Sequence, residues 1–208
     1  RAMDNLGMGA KKPSMDEFAL ANMGLTSWCL GFYFPKTLNK CFEEQVLLKS
    51  EQHRQEFKKN FLLLVKKLQI ANPGKPIILK SPANTARVKE LLELFPNARF
   101  AHIYRNPYRV YLSTERLYEK ILPLFGLQKA GDRQIEEYIV NSYEDYHKKW
   151  FAERELIPAK NLYEFAFEEF VKDPMPMLEK MYEQFGLAMN EKTKKLIAGE
   201  VKAHDEYE

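Results

Sequence analysis

The sequence predicts an α/β fold with a parallel sheet, and two observations lead to this prediction. The first is the order of three segments. A strand-like apolar run, Pro76–Lys80, precedes apolar residues at helical spacing over Val88–Phe95, and a second strand-like run, Phe100–Tyr104, follows. Strand, helix and strand in this order form a βαβ unit, from which parallel sheets are built. The second observation is the alternation of aromatic residues over Asn161–Phe167, which predicts another strand.

The segments before this unit predict mainly helix. Residues 1–40 mix Gly, Pro and Asn with short helical pieces, which is typical of a loop-rich region around a ligand. Ser50 is a good N-cap for a helix from Glu51 to about Ala71. The turn sequence Asn72-Pro73-Gly74 ends it. Its buried stripe is predicted to consist of Phe57, Phe61, Leu64 and Leu68.

The second half of the chain predicts three helices and the strand Asn161–Phe167. The helices run from Pro107 to about Ile121 with Pro123 as the limit, from Arg133 to Leu156, and from Asp173-Pro174 to Gly186. Residues 123–132 form a linker. Tyr138, Tyr143 and Tyr146 lie near one face of the second helix, and such an aromatic stripe usually belongs to a core.

Composition indicates an ordinary globular protein. The 208 residues are 45% hydrophobic and 29% charged, so we expect one domain over residues 1–208. A net charge of +3 is too small to indicate a nucleic-acid partner. Two cysteines and four scattered histidines predict neither a disulfide scaffold nor a metal site. No run is long and apolar enough for a membrane span, and the cytoplasm is the expected location.

Arg105 is the most informative single residue. It follows a predicted strand at the edge where open α/β sheets bind ligands, and Asn106 is a good N-cap for the next helix. A guanidinium beside a helix N-terminus suits a phosphate group. Ser113, two turns further on, can add a hydroxyl. In the alternative interpretation, Arg105 pairs with Glu115 or Glu119 and Ser113 faces solvent, and spacing alone does not decide between the two.

The segment LKSPANTARVKELLELFPNARFAHIYRNPYRVYLS, residues 79–113, resembles the sulfotransferase superfamily. RAMDN at residues 1–5, DEFAL at 16–20 and YEFAFEEFVKDP at 163–174 resemble further family segments in the family's order. The resemblance implies transfer of a sulfuryl group from 3′-phosphoadenosine 5′-phosphosulfate (PAPS) to a hydroxylated acceptor that the sequence does not identify. It also implies that Arg105, Asn106 and Ser113 bind the 3′-phosphate, without any metal.

The family's phosphosulfate loop is absent from the chain. None of its nine glycines lies in a G-x-x-x-x-G-K-[ST] pattern or in a Ser-Gly-Thr-Thr-like turn. We therefore expect a P-loop-like, helix-rich, three-layer α/β/α fold whose N-terminal strand and loop lie upstream of Arg1. A chain that lacks this loop should be catalytically incomplete on its own.

The candidate catalytic residues are Lys80, Glu17 and Asp16. Lys80 matches the lysine of the family's Lys-Ser-Pro loop and should lie near the leaving phosphate; otherwise it is an edge lysine whose stem covers apolar surface. Asn84 stands where the family often has a histidine base, and an amide cannot accept a proton. A carboxylate of the DEFAL segment is the expected replacement, with Glu17 first and Asp16 second. The alternative is a pair of helix-cap carboxylates.

Two other polar residues are predicted to be structural. His102 should be a hydrogen-bonded core histidine, and Glu168 resembles a glutamate that stabilises the family's fold. Two rival functions remain open. One is a relative of P-loop nucleotide kinases, and the other is a non-catalytic nucleotide-binding or interaction module that has lost the phosphosulfate loop.

Overall fold

The computed structural model describes residues 15–205, with side chains through residue 201. In this part of the chain the protein is a helix-rich α/β structure with ten α-helices and one small parallel sheet. Residues 1–5, which carry the RAMDN match, lie outside the described residues. The chain divides into two compact units, one formed by residues 15–96 and 111–156 and the other by residues 97–110 and 157–205.

The first unit is helical. It contains α1 (Asp16–Gly24), α2 (Leu30–Tyr33), α3 (Leu38–Gln45), α4 (Glu51–Ala71), α5 (Val88–Leu94), most of α6 (Pro107–Phe125) and α7 (Asp132–Glu153). Short 3-10 helices cover Pro35–Thr37, Pro82–Ala86 and Arg154–Leu156.

Local signals account for the bounds of α4, which are those predicted. The Ser50 hydroxyl accepts a hydrogen bond from the His53 amide at 3.1 Å, so it satisfies a donor that the first turn leaves free. Beyond the other end, Gly74 adopts a φ of +70°, a conformation that suits glycine. Phe57, Phe61 and Leu64 are buried, as the stripe predicts, whereas Leu68 is only half-buried.

The core of this unit lies among α2, α3, α6 and α7. Phe32 of α2 packs on Tyr118 of α6, with ring centroids 5.8 Å apart. Phe42 of α3 and Tyr118 both meet Tyr138 of α7, at 6.2 and 5.7 Å. Of the aromatic stripe predicted for α7, Tyr138 lies in the core and Tyr146 packs against it, whereas Tyr143 is half-buried outside the core cluster.

The second unit contains the sheet. Strands β1 (Phe100–Tyr104) and β2 (Leu162–Ala166) pair in parallel, with Phe100 opposite Leu162 and Tyr104 opposite Ala166. His102 Nδ1 lies 3.0 Å from Glu164 Oε1 on the partner strand, so the predicted hydrogen bond of this histidine is present. The other elements are the 3-10 helix Ala159–Asn161, α8 (Phe167–Phe170), α9 (Pro174–Gln184) and α10 (Glu191–Asp205). Gly186 follows α9 with a φ of +61°, as expected for the end of a helix.

The prediction of a strand at Pro76–Lys80 is wrong. This segment has no regular secondary structure, and the side chain of Ile78 is 88% exposed. A strand needs a neighbour to satisfy its backbone N–H and C=O groups, and the described residues provide none there. The parallel neighbour of Phe100–Tyr104 is instead Leu162–Ala166, which follows it much later in the chain.

The end predicted for α6 is also wrong. The helix continues through Pro123 to Phe125, and the Gly126 amide donates to the Leu122 carbonyl at 2.8 Å. A proline in the last turn removes only one helical donor, and the Gly126 bond closes that turn. Among the described helices, none combines the length and the apolar character that crossing a bilayer requires.

Candidate functional site

Two adjacent carboxylates begin helix α1 and are both buried. Asp16 is 5% exposed and Glu17 is 0% exposed. A buried carboxylate is unfavourable unless it is paired or hydrogen-bonded, so its partners indicate what it does. The partners of this pair come from residues 81–87, which follow Lys80, and from Ser27, just after α1.

Glu17 is held on both of its oxygens. Oε1 accepts from Arg87 Nη1 at 2.6 Å and from the Ser81 hydroxyl at 3.2 Å. Oε2 accepts from the Ser27 hydroxyl at 2.8 Å. The carboxylate of Glu17 is therefore oriented and neutralised within the protein.

Arg87 is the cation at the centre of this network, and its side chain is fully buried. Its Nε donates to the Gln45 carbonyl at 3.0 Å, and its Nη2 donates to the same oxygen. The guanidinium also lies over the Phe57 ring, 4.5 Å from its centroid. Arg87 thus ties α1, the end of α3 and α4 to the start of α5.

Asp16 differs from Glu17 because one of its oxygens is free. Asn84 Nδ2 donates to Oδ2 at 2.9 Å, whereas Oδ1 is buried without a hydrogen-bond partner among the described residues. Burial raises the pKa of Asp16, and the charge of Glu17 acts in the same direction. The Asn84 hydrogen bond and the charge of Arg87 oppose the rise. The result is a carboxylate with raised basicity and an unused acceptor atom.

The loop after Lys80 lies against this pair. Ser81 caps the 3-10 helix Pro82–Ala86 by accepting from the Ala83 amide at 3.2 Å, and the same hydroxyl donates to Glu17. Asn84 bridges the two charged groups, because its Oδ1 accepts from Arg87 Nη1 at 3.3 Å while its Nδ2 holds Asp16. Lys80 itself is exposed at the start of this loop. The structure therefore brings the DEFAL carboxylates together with the Lys-Ser-Pro segment.

Arg105 directly follows β1 in the second unit, as predicted. Its guanidinium is exposed and stacks over the Phe167 ring, 4.6 Å from the centroid. It forms no ion pair with the described residues of its own unit. This leaves the edges of the guanidinium available to an anion.

The first backbone amides of α6 already have hydrogen-bond partners and are not available to this anion. Asn106 Oδ1 accepts from the amides of Tyr108 and Arg109, at 3.0 and 3.4 Å, so the N-cap already satisfies them. The Asn106 amide donates to Glu168 Oε1 at 2.8 Å, in line with the structural role predicted for Glu168. That bond and the charges of Arg105 and Arg109 lower the pKa of Glu168.

Ser113 is exposed on α6 and belongs to the helical unit, whereas Arg105 belongs to the sheet unit. Their joint binding of a phosphate stays a prediction.

The sequence interpretation missed the groups that hold Glu17. Ser27, Ser81 and Arg87 lie 10, 64 and 70 residues away from it, so no local spacing relates them. The one available signal was a charged residue, Arg87, at the start of an apolar helix. Among residues 15–205, no cluster of three or more His, Cys, Asp and Glu side chains is arranged to hold a metal ion.

Comparison with known proteins identifies the family to which the chain belongs. The model of the sulfotransferase family matches residues 10–191. Two curated proteins named omega-hydroxy-beta-dihydromenaquinone-9 sulfotransferase Stf3, from Mycobacterium bovis and Mycobacterium tuberculosis, are each 35% identical to the chain over 188 residues. The match covers 90% of this chain and 48% of each relative, so the chain spans about half the length of these relatives. No solved structure matches the chain. The family match and the identity establish that the chain belongs to the sulfotransferase family.

Proposed function

We propose that the protein transfers a sulfuryl group from PAPS to a hydroxyl group of an acceptor. The observation that carries this proposal is Asp16 Oδ1, a buried acceptor atom without a partner, next to the Lys-Ser-Pro loop. Transfer to a hydroxyl requires a group that removes its proton, and this atom has both the freedom and the raised pKa for that task. PAPS supplies the sulfuryl group, which leaves the 5′-phosphate and bonds to the acceptor oxygen.

The residues proposed to hold the nucleotide are Arg105, Asn106 and Ser113. The exposed Arg105 guanidinium suits the 3′-phosphate, since its planar fork can make two charge-assisted hydrogen bonds. Asn106 contributes indirectly by capping α6 and fixing the backbone beside Arg105. Ser113 would add its hydroxyl, and Lys80 would neutralise charge on the leaving phosphate.

Asp16, rather than Glu17, is our proposed base. Both oxygens of Glu17 already accept hydrogen bonds from Arg87, Ser81 and Ser27, so neither oxygen is available to an acceptor hydroxyl. Glu17 then acts as a positioning residue that fixes the loop around Asp16. Asn84, at the position where the family often has a histidine, directs the other Asp16 oxygen.

The relatives' name suggests the class of acceptor. Those proteins are named for an omega-hydroxylated dihydromenaquinone, which is a lipophilic alcohol. We propose a lipophilic alcohol as the acceptor of this protein. We also propose that its fold is a P-loop-like three-layer α/β/α arrangement. We also propose a cytoplasmic location.

The test compares three variants of the full-length protein, using radiolabelled PAPS and a lipophilic alcohol. Asp16→Asn should lower the rate of transfer by about 10²–10⁴-fold, the usual contribution of general base catalysis. Binding of 3′-phosphoadenosine 5′-phosphate, measured by calorimetry, should stay unchanged. Arg105→Ala should weaken that binding first. Glu17→Gln serves as the comparison, and a larger rate loss in it than in Asp16→Asn would return the role of base to Glu17.

Binding of the nucleotide distinguishes the rival functions. A protein that binds 3′-phosphoadenosine 5′-phosphate but transfers no sulfuryl group to any alcohol would be a nucleotide-binding module. Preference for ATP with phosphoryl transfer would indicate a relative of the nucleotide kinases.

A further inference from the structure

Two neighbouring segments of the helical unit expose a cluster of large apolar side chains. We call it the apolar patch, and its members are Tyr33, Phe34, Leu124, Phe125 and Leu127. Each of them is between 43% and 73% exposed. Exposed apolar residues are common singly, but a contiguous group usually marks a surface that binds something.

Direct contacts show that the two segments lie side by side. The Leu127 amide donates to the Tyr33 carbonyl at 2.8 Å. The rings of Tyr33 and Phe125 meet edge to face, with centroids 6.0 Å apart. Leu124 and Phe125 end helix α6, and Leu127 follows Gly126 in the turn after it. The patch is therefore built on hydrogen-bonded backbone and does not depend on a single side chain.

The charged residues within the two segments that form the patch have one sign. Residues 33–40 and 120–131 contain four lysines and no acidic residue. Lys36, Lys120 and Lys129 are exposed and form no ion pair with the described residues, whereas Lys40 lies 3.8 Å from Glu44. The nearest acidic residues in the sequence, Glu119 and Asp132, flank the second segment.

We infer that the apolar patch docks the protein on the surface of an anionic lipid bilayer. Tyrosine, phenylalanine and leucine side chains can enter the boundary between headgroups and acyl chains, while the lysines beside them meet the anionic headgroups. This combination fits a lipid surface better than a protein partner, for which these lysines would need a matching acidic face. The inference is independent of sulfuryl transfer, because docking requires neither PAPS nor an acceptor.

Sedimentation with lipid vesicles tests this inference directly. The chain should bind vesicles of mixed phosphatidylcholine and phosphatidylglycerol and bind vesicles of pure phosphatidylcholine much more weakly. The double variant Leu124→Ser/Leu127→Ser should weaken binding on the order of tenfold per leucine. This factor corresponds to the lower end of the free energy gained when a leucine side chain moves from water to an apolar environment. Lys36→Glu/Lys129→Glu should weaken binding to the anionic vesicles by roughly fivefold or more per lysine, and added salt should have the same effect.

Helix α4 provides matched controls away from the patch. Ile70→Ser removes an apolar side chain that is 81% exposed, and Lys66→Glu/Lys67→Glu makes the same charge change as the patch variant. Both should bind the vesicles like the unmodified chain, and thermal unfolding should confirm that every variant is folded. No binding by the unmodified chain, or equal losses in the patch and control variants, would overturn the inference. So would a dimer that the leucine changes dissociate without any vesicle binding, because the occupant would then be a second copy of the chain.

Discussion

Replacing Arg87 by methionine should be among the most destabilising single changes in the helical unit. Methionine keeps the length and the apolar stem of the side chain but removes the charge and all donors. Glu17 would then be a buried carboxylate that retains only the Ser27 and Ser81 hydroxyls as donors. The Gln45 carbonyl would lose both of its guanidinium donors.

The expected loss follows from these two consequences. Removing one partner of a buried ion pair costs about 3–5 kcal/mol, because the other charge stays buried without compensation. Leaving a buried carbonyl without a partner costs about 1–3 kcal/mol more, although the two effects share one site and are not fully additive. A domain of this size has a free energy of unfolding of roughly 5–15 kcal/mol, so Arg87→Met should remove a large part of it.

Urea unfolding followed by circular dichroism measures the change, and a double variant shows its origin. Glu17→Gln/Arg87→Met contains no buried charge from this pair, because glutamine and methionine are both neutral. The glutamine amide can also keep the two hydroxyl contacts, since its oxygen accepts from one hydroxyl and its nitrogen donates to the other. It should be more stable than Arg87→Met alone, although it carries one more substitution. If adding Glu17→Gln destabilises the Arg87→Met protein further, the ion pair is not the source of the loss.

A surface pair of the same type is the control. Arg133 and Glu137 lie 2.9 Å apart on α7, with the arginine side chain 90% exposed. Arg133→Met should leave the unfolding midpoint unchanged, because water screens exposed ion pairs.

Three further predictions concern other parts of the structure. Burial holds the pKa of Asp16 above its ordinary value of 3.8, so ionising it at higher pH costs native stability. Asp16→Asn should therefore raise the melting temperature at neutral pH, and this gain should vanish when the pH falls below that ordinary value; a gain that persists in acid would contradict the assignment. Ser50→Ala should lower the free energy of unfolding by about 1 kcal/mol through loss of the α4 cap, seen in urea titrations, and an unchanged midpoint would contradict the cap. Burial raises the pKa of the Cys29 thiol to about 12, so a thiol reagent should label Cys41 in the native protein and Cys29 only after unfolding, with rapid native labelling of Cys29 as the contrary result.

Elements with local signals were predictable, whereas those that depend on distant partners were not. Helix α4 has its cap, its apolar stripe and its terminating turn within its own sequence, and its bounds were predicted correctly. The cap formed by Asn106 was likewise readable from adjacent residues. Pro76–Lys80 has the composition of a strand but no neighbouring strand in the described residues, and composition alone cannot supply one.

The candidate site divides in the same way. The sequence pointed to Asp16, Glu17 and Lys80, and the structure brings the two carboxylates to the loop that follows Lys80. It gave no indication that Arg87 holds Glu17, because the two are 70 residues apart. The order of the two carboxylates as candidate bases depends on which oxygens are occupied, and only the folded chain contains that information.

The pairing of β1 with β2 has a consequence for how Arg105 is kept in place. Alternating side chains oppose a slip by one residue, which would exchange the two faces, but they tolerate a slip by two. Polar contacts oppose the slip by two residues. His102 faces Glu164, and the Asn106 amide meets the Glu168 carboxylate at the same offset of 62 residues. After a slip by two, His102 would face Leu162 or Ala166, and Asn106 would face Ala166 or Phe170, none of which carries a carboxylate. These two contacts therefore favour the observed strand register over one shifted by two residues. Arg105 lies between His102 and Asn106 in the sequence, so the same contacts fix its position relative to β2.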